Sequence, residues 1–351
     1  MPAVFHSVIA FTMIFCNNGP HAGSVSHSYI DKNAAKAMKS PHAFYAFVLI
    51  ACALAVSCGC SRTGVGENTI RLGYLQSDLH HLPAFVAIEK GFFADEGLEV
   101  NIGGIFRAGP ELMSAIAAGE LDAGYVGLAP AATAALNGVA DISILAQVNT
   151  EGSALVCRPG ACRSLAQLRN KTVAIPGHAT MQDCLLNRGL RSAGLAPGML
   201  RMMVLKPPEM LQALTSGSID CFIAWEPYPS RAAFEGSGSI VERSHTLWPQ
   251  HPCCVLIAHN RLVRTRPDAA EKISRAHARA CRFIAEHPAE ALGIAGRYTG
   301  MPHDVLEQAI GHMRFSPEID RGKIEDFEAF LYELGYVRGA RGSRRQLAFF
   351  Q

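Results

Sequence analysis

The chain has 351 residues, a formal net charge of +2, 18% charged residues and 49% hydrophobic ones. That length suits two compact domains or one bilobed unit, and the apolar fraction is ample for a core. The near-neutral charge gives no footing for nucleic acid as the partner.

The first 60 residues read as export sequence. Residues 1–37 carry a short apolar run (VIAFTMIF) and a polar stretch, and read as an upstream extension. From Met38, Lys39 supplies a positive start and residues 43–56 are apolar, too short for a membrane span. Ala55, Ser57, Cys58, Gly59 and Cys60 follow, so 38–60 reads as a signal peptide of the bacterial lipoprotein kind. Cys58 (or Cys60) is then the lipidated N-terminus, although Ala55 stands where a leucine is favoured. Residues 61–68 are a tether. The expected location is the periplasm or cell envelope, with a lipid anchor.

Next the chain alternates strand-like and helix-like segments. TIRLGYL is a strand and PAFVAIEKG a helix, with Pro83 in its first turn. LEVNIGG is a strand, GPELMSAIAAG a helix that Gly119 ends, DAGYVGLA a strand and PAATAALNG a short helix. ISILAQV and SALVCR are strands. A second round runs KTVAIPG (strand), HATMQDCLLNRGLRSAG (helix), LRMMVL (strand), PPEMLQALTSG (helix) and SIDCFIAW (strand). VLIAHNRLV returns as a strand, and the rest is helical, from PDAAEKISRAHARACRFIAEHP through PHDVLEQAIGHM to KIEDFEAFLYELG. Such alternation predicts α/β layers with a largely parallel sheet.

The two rounds share a phrase. SAIAAGELDAGYVG and QALTSGSIDCFIAW place Gly119 and Gly217, and Asp122 and Asp220, at one common offset. Each phrase is a helix, a glycine stop, a tight turn holding an aspartate and a buried strand, which suggests two lobes on one plan.

Ligands of open parallel sheets bind beyond the carboxyl ends of the strands. Those ends carry Gln76, Ser77, His80 and His81; Leu128 and Ala129; Asn149 and Glu151; Gly177, His178 and Thr180; Trp225 and Glu226; and His251. Free N–H groups at helix starts favour an anion or polar acceptor, and Trp225 offers a flat apolar wall. A structural hydrogen bond is an equal reading for Glu226, and core packing for Trp225. His80, His81, His178, His251, Cys253 and Cys254 are suitable metal ligands by type, but no HxxxH, HxH or CxxC spacing occurs. No GxSxG, Walker or dinucleotide-binding phrase marks an enzyme. Among the eleven cysteines, Cys157 and Cys162 flank the turn RPGA and suit a short hairpin bridge, while Cys253 and Cys254 read as small buried apolar residues.

AIEKGFFADEGLEV, ELMSAIAAGELDAGYVG, the turn after KTVAIPG and SIDCFIAWEPY carry a resemblance. Over about 69–337 the chain resembles the extracytoplasmic substrate-binding proteins of ABC importers. The group concerned is that of nitrate, sulfonate and taurine binders, related to the thiamine-pyrimidine synthase fold. The resemblance implies a two-lobed periplasmic binding protein fold (type II), each lobe a mainly parallel sheet flanked by helices. Residues 69–157 and 255–337 would form the first lobe, 158–254 the second, and 338–351 a flexible tail. Two strands, near SALVC and CVLIA, would form the hinge. It also implies a monomer that delivers a small organic ligand, sulfonate-like or pyrimidine-like, to a membrane permease and its ATPase, with no cofactor and no resident metal. The strand-end residues above would be its ligand contacts. His178 and Ala129 stand where anion binders carry small hydroxyl residues, which disfavours a simple oxyanion. A synthase-like enzyme of the same fold and a metal or metal-complex binder are the alternatives.

Overall fold

The computed structural model describes residues 68–339 and 345–350. The expected upstream extension, the signal segment with Cys58 and the tether up to residue 67 lie outside the described residues. In chain order the strands are β1 (Thr69–Leu75), β2 (Glu99–Phe106), β3 (Ala123–Gly127), β4 (Ile142–Glu151), β5 (Ser153–Cys157) and β6 (Thr172–Ile175). They continue with β7 (Arg201–Val204), β8 (Cys221–Trp225), β9 (Ser239–Arg243), β10 (Pro252–His259), β11 (Met313–Phe315) and β12 (Ala348–Phe349). Among the described residues they form two sheets. One has seven strands, in the order β11-β4-β10-β3-β1-β2 with β12 beside β4, and the other five, β7-β6-β8-β5-β9. Each sheet is the frame of one lobe, and the two-lobed α/β reading stands, but the expected mainly parallel sheets are mixed, because the returning strands pair antiparallel: β10 with β3 and β4, and β5 with β8 and β9.

The shared phrase is a shared structural unit. The helices Gly109–Ala117 and Pro207–Thr215 end at Gly119 (φ 73°) and Gly217 (φ 75°), left-handed positions that a Cβ disfavours. Asp122 then accepts the Arg71 N–H at 3.0 Å and returns its own N–H to the Arg71 carbonyl at 2.9 Å. Asp220 does the same with Thr172, both at 2.9 Å. The following strands, β3 and β8, are fully buried and run parallel to β1 and β6. Burial on both faces is why each is a continuous apolar run rather than an alternating one.

The chain passes between the sheets twice, and the two crossings are bonded to each other. Glu151 and Gly152 link β4 to β5, both at positive φ (62° and 86°). The Glu151 N–H donates to the His251 carbonyl at 3.2 Å, and the Gln250 N–H to the Glu151 carboxylate at 2.7 Å. The second sheet thus begins at Ser153 and the first resumes at Pro252, where the sequence placed these boundaries at 158 and 255.

The long helix Pro267–Glu286 packs back on the helix Leu82–Glu89 and on β4, closing the first lobe with the C-terminal segment. His277 on it is buried between the Tyr125 hydroxyl (3.2 Å) and the Gln147 carbonyl (2.8 Å). At Pro288 a separate helix, Pro288–Thr299, begins, because proline suits a first turn better than an interior. Where a flexible tail was expected, β12 pairs in parallel with β4, Ala348 opposite Ser143, and Leu347, Phe349 and Phe350 pack on the core.

The expected Cys157–Cys162 bridge is corrected. The disulfide joins Cys157 to Cys221, which face each other across the antiparallel pair β5–β8. Cys162 is a free thiol 2.7 Å from the Cys157 sulfur. No helix of the described residues is long and apolar enough to cross a membrane.

Candidate functional site

Five strand ends, three from the first lobe and two from the second, meet around one small cavity. Leu75 ends β1, with Asp78 and His80 just after it; Gly127 ends β3, with Pro130 just after it; Cys253 and Cys254 lie at the start of β10. From the second lobe come Thr180, Met181 and Gln182 after β6, and Trp225 at the end of β8. The volume is about 20 Å³, room for roughly one water-sized group.

The segment after β1 sets the first wall. Asp78 caps a single tight turn, Leu79–His81, by accepting the His80 N–H at 2.9 Å. Residues on such a turn point about 120° apart, so the adjacent histidines diverge. His81 turns into the first lobe, where its Nδ1 accepts the Leu75 N–H at 3.1 Å. His80 turns to the cavity: its Nε2–H donates to the Gly152 carbonyl at 2.7 Å, which leaves Nδ1 facing inward. That nitrogen lies 3.5 Å from an Asp78 carboxylate oxygen, 3.6 Å from the Cys253 sulfur and 3.7 Å from the Cys254 sulfur.

Two consecutive cysteines on a strand ordinarily face opposite sides. Here the pairing of β10 with β4 slips at this point: Pro252 opposes Thr150, Cys254 opposes Asn149, and Cys253 is the extra residue of a bulge. A bulge re-aims side chains, and both sulfurs come to the His80 ring. His251 is buried beside them, its Nδ1–H donating to the Trp248 carbonyl at 2.7 Å.

The electrostatics of this cluster are unusual. A hydrogen bond from Cys254, then the charge of His80, hold the Cys253 thiol well below its ordinary range against the effect of burial. Burial pushes Cys254 well up. Burial lowers His80, but the Cys253 thiolate and Asp78 outweigh it and the ring is raised overall. Burial pushes Asp78 up to about 7 and, with the His80 charge, His81 down to about 3.

Of the residues singled out from sequence, His80, Thr180 and Trp225 line the cavity. Thr180 also caps the helix Met181–Ser192 by accepting the Asp183 N–H. Trp225 packs edge-on against Tyr228, and its buried Nε1–H has no hydrogen-bond partner. Leu128 and Ala129 are buried, the Ala129 N–H donating to the Met181 sulfur across the lobes at 3.3 Å. Gln76 and Ser77 line a wide outer groove of about 590 Å³ with Tyr228 and Arg231. Asn149 is buried, donating to the Thr150 and Glu151 carbonyls, and Glu151 serves the crossing. His178 is exposed, 3.7 Å from Asp183, and Gly177 accepts the Thr180 hydroxyl at 2.7 Å. Glu226 is enclosed by the Ser230 N–H and Arg243, while its carbonyl accepts the Leu79 N–H.

Asp78, Met181, Gln182, Cys253 and Cys254 were not singled out as ligand contacts. Cys253 and Cys254 were marked as metal ligands by type alone; nothing local marks Gln182.

The sequence matches the family described as NMT1-like over residues 64–297. The taurine-binding periplasmic protein of Escherichia coli (strain K12) is 25% identical over 273 residues, 73% of this chain and 84% of that protein. The alkanesulfonate-binding protein SsuA from Xanthomonas axonopodis pv. citri, solved with MOPS, superposes with a TM-score of 0.69 at 18% identity, over 78% of this chain and 95% of that one. The ligand-binding component of an ABC-type import system from Staphylococcus aureus, solved with zinc, gives 0.68 at 19% identity, over 77% and 92%. The chain belongs to the NMT1-like family.

Proposed function

We propose that this chain works outside the cytoplasm as a monomeric receptor that captures its solute in the cavity between the lobes and hands it to a permease driven by an ATPase. One observation carries the assignment of the site: loops from five strand ends, belonging to both lobes, converge on a single cavity. A solute there touches both lobes at once. It therefore favours the closed arrangement over the open one, a difference a transporter can read. Anchorage by a lipid at Cys58, after cleavage of the signal segment, keeps the receptor beside the permease. The role is capture rather than catalysis, as in the taurine and alkanesulfonate binders it resembles.

The test is a melting-temperature screen of the purified chain with sulfonates, pyrimidines and transition-metal ions, paired with small-angle scattering. A true solute at a hundredfold excess over Kd stabilises by about 2.7 kcal/mol and compacts the particle. Trp225→Ala and Gln182→Ala weaken that response. Full binding in both variants places the solute elsewhere.

A further inference from the structure

We propose that the solute of this cavity is a thiophilic d10 metal ion, zinc(II) or copper(I), ligated by His80 Nδ1 and the sulfurs of Cys253 and Cys254. The proposal rests on the cleft being the solute site, and it names the class of solute.

The distances carry it. In a tetrahedral site with metal–sulfur bonds near 2.3 Å and metal–nitrogen bonds near 2.0 Å, neighbouring donor atoms lie about 3.4 to 3.8 Å apart. The separations from His80 Nδ1 are 3.6 Å to Cys253 and 3.7 Å to Cys254. The ring nitrogen and the two sulfurs all lie within 4.8 Å of one another. The imidazole nitrogen and the two sulfurs thus stand close enough to share one ion.

Orientation points the same way. A ligating histidine ordinarily donates its other ring N–H to a carbonyl or carboxylate, which fixes the tautomer. His80 does this to the Gly152 carbonyl. His251 repeats the pattern, with Nδ1–H on the Trp248 carbonyl and Nε2 buried without a nitrogen or oxygen partner. The bulge in β10 supplies two adjacent thiols on one side, an arrangement that plain strand geometry forbids.

Size and softness narrow the choice. The cavity of about 20 Å³ suits an ion among its ligands and is far below the 300 Å³ or more usual for organic ligands. Two sulfurs and an imidazole select zinc or copper(I) over calcium or magnesium. The donors come from the first lobe and face Thr180, Met181, Gln182 and Trp225 of the second. Parting the lobes exposes the ion, so it is cargo and not a structural plug.

The experiment uses the purified chain, reduced and stripped with a chelator under anaerobic conditions. Zinc(II) and copper(I) are titrated against chromogenic competitors, with magnesium and calcium as hard-ion controls and cobalt(II) as a spectroscopic probe. The expected result is one ion per chain, thiolate-to-cobalt charge-transfer absorption, and no response to the hard ions. Ranking zinc(II) against copper(I) in the competition identifies which of the two is preferred. Cys253→Ser, Cys254→Ser and His80→Gln each weaken binding by about 100-fold or more, while Cys184→Ser and Cys281→Ser, buried thiols elsewhere, leave it unchanged. Should His80→Gln misfold through loss of the Gly152 bond, the two serine variants carry the test. Binding that survives both serine variants overturns the proposal. An organic solute that binds instead, and is lost in Trp225→Ala, overturns the metal while leaving the cleft as the site. No ligand of either class overturns both. Selective alkylation of Cys253 with no metal binding assigns the His80–Cys253 pair to nucleophilic chemistry, and also overturns the proposal.

Discussion

His80 and Gly152 are joined by a 2.7 Å hydrogen bond from the ring Nε2–H to the backbone carbonyl, which ties the first strand-end loop to a crossing between the sheets. Gly152 has φ of 86°, and a Cβ there would sit 2.3 Å from that same ring nitrogen. The ring is buried and cannot swing away. Gly152→Ala therefore costs about 1–3 kcal/mol in backbone strain and also displaces His80 from the cavity. Urea melts and solute titration should both register the change. A variant with wild-type stability and affinity would show that the crossing yields.

Much of this was legible in the sequence because it is local. The helix, glycine, aspartate and buried strand of each round sit within a few residues, and the period of the apolar positions reveals them. Pairings set by register were not. Cys221 is 64 residues from Cys157, and only the β5–β8 alignment makes them opposite. The bulge that turns Cys253 and Cys254 to one side depends on β4, so the sequence marked the pair as ligands by type or as apolar fillers, but not by geometry. The split of His80 from His81 follows from a single tight turn fixed by Asp78. The strands β9, β11 and β12 are short and lack alternation, and they exist because a sheet edge was there to pair with.

Asp122 and Asp220 hold equivalent turns but are not equally supported. Asp122 accepts the Arg71 backbone N–H and two guanidinium bonds, at 2.9 and 2.8 Å. Asp220 accepts the Thr172 N–H and meets Arg158 only at 3.5 Å, on a side chain 44% exposed. Hydrogen bonds to charged groups contribute about 1.5–3 kcal/mol, whereas exposed ion pairs contribute little. Asp122→Ala is thus expected to destabilise the chain more than Asp220→Ala in chemical denaturation. The reverse order would mean that the second lobe limits stability.

Cys221→Ser removes the bridge across β5 and β8 and should cost about 2–4 kcal/mol. Cys162, 2.7 Å from the Cys157 sulfur, is placed to take over the partner role. Peptide mapping of the oxidised variant should recover a Cys157–Cys162 peptide, which the parent lacks. Loss of the bridge without any loss of stability would show that the sheet register alone secures the second lobe.

His277 sets an acid limit on the first lobe. Its Nε2–H donates to the Gln147 carbonyl and its Nδ1 accepts the Tyr125 hydroxyl, so the neutral ring is fully satisfied. Burial lowers its pKa from 6.5 to about 4, with the Gln147 bond opposing. A depressed pKa means that the unfolded chain binds the proton more readily than the folded one. The contribution is complete above about pH 6.5, falls as pH drops, and is gone below about 4. A shift of this size corresponds to roughly 3 kcal/mol. Urea melts at steps between pH 7 and pH 4 should show that loss in the parent chain. His277→Gln, which keeps a donor for Gln147 but no titrating ring, should be less stable at pH 7 yet lose that much less across the window. Parallel pH profiles for the two proteins would assign the acid sensitivity to other groups.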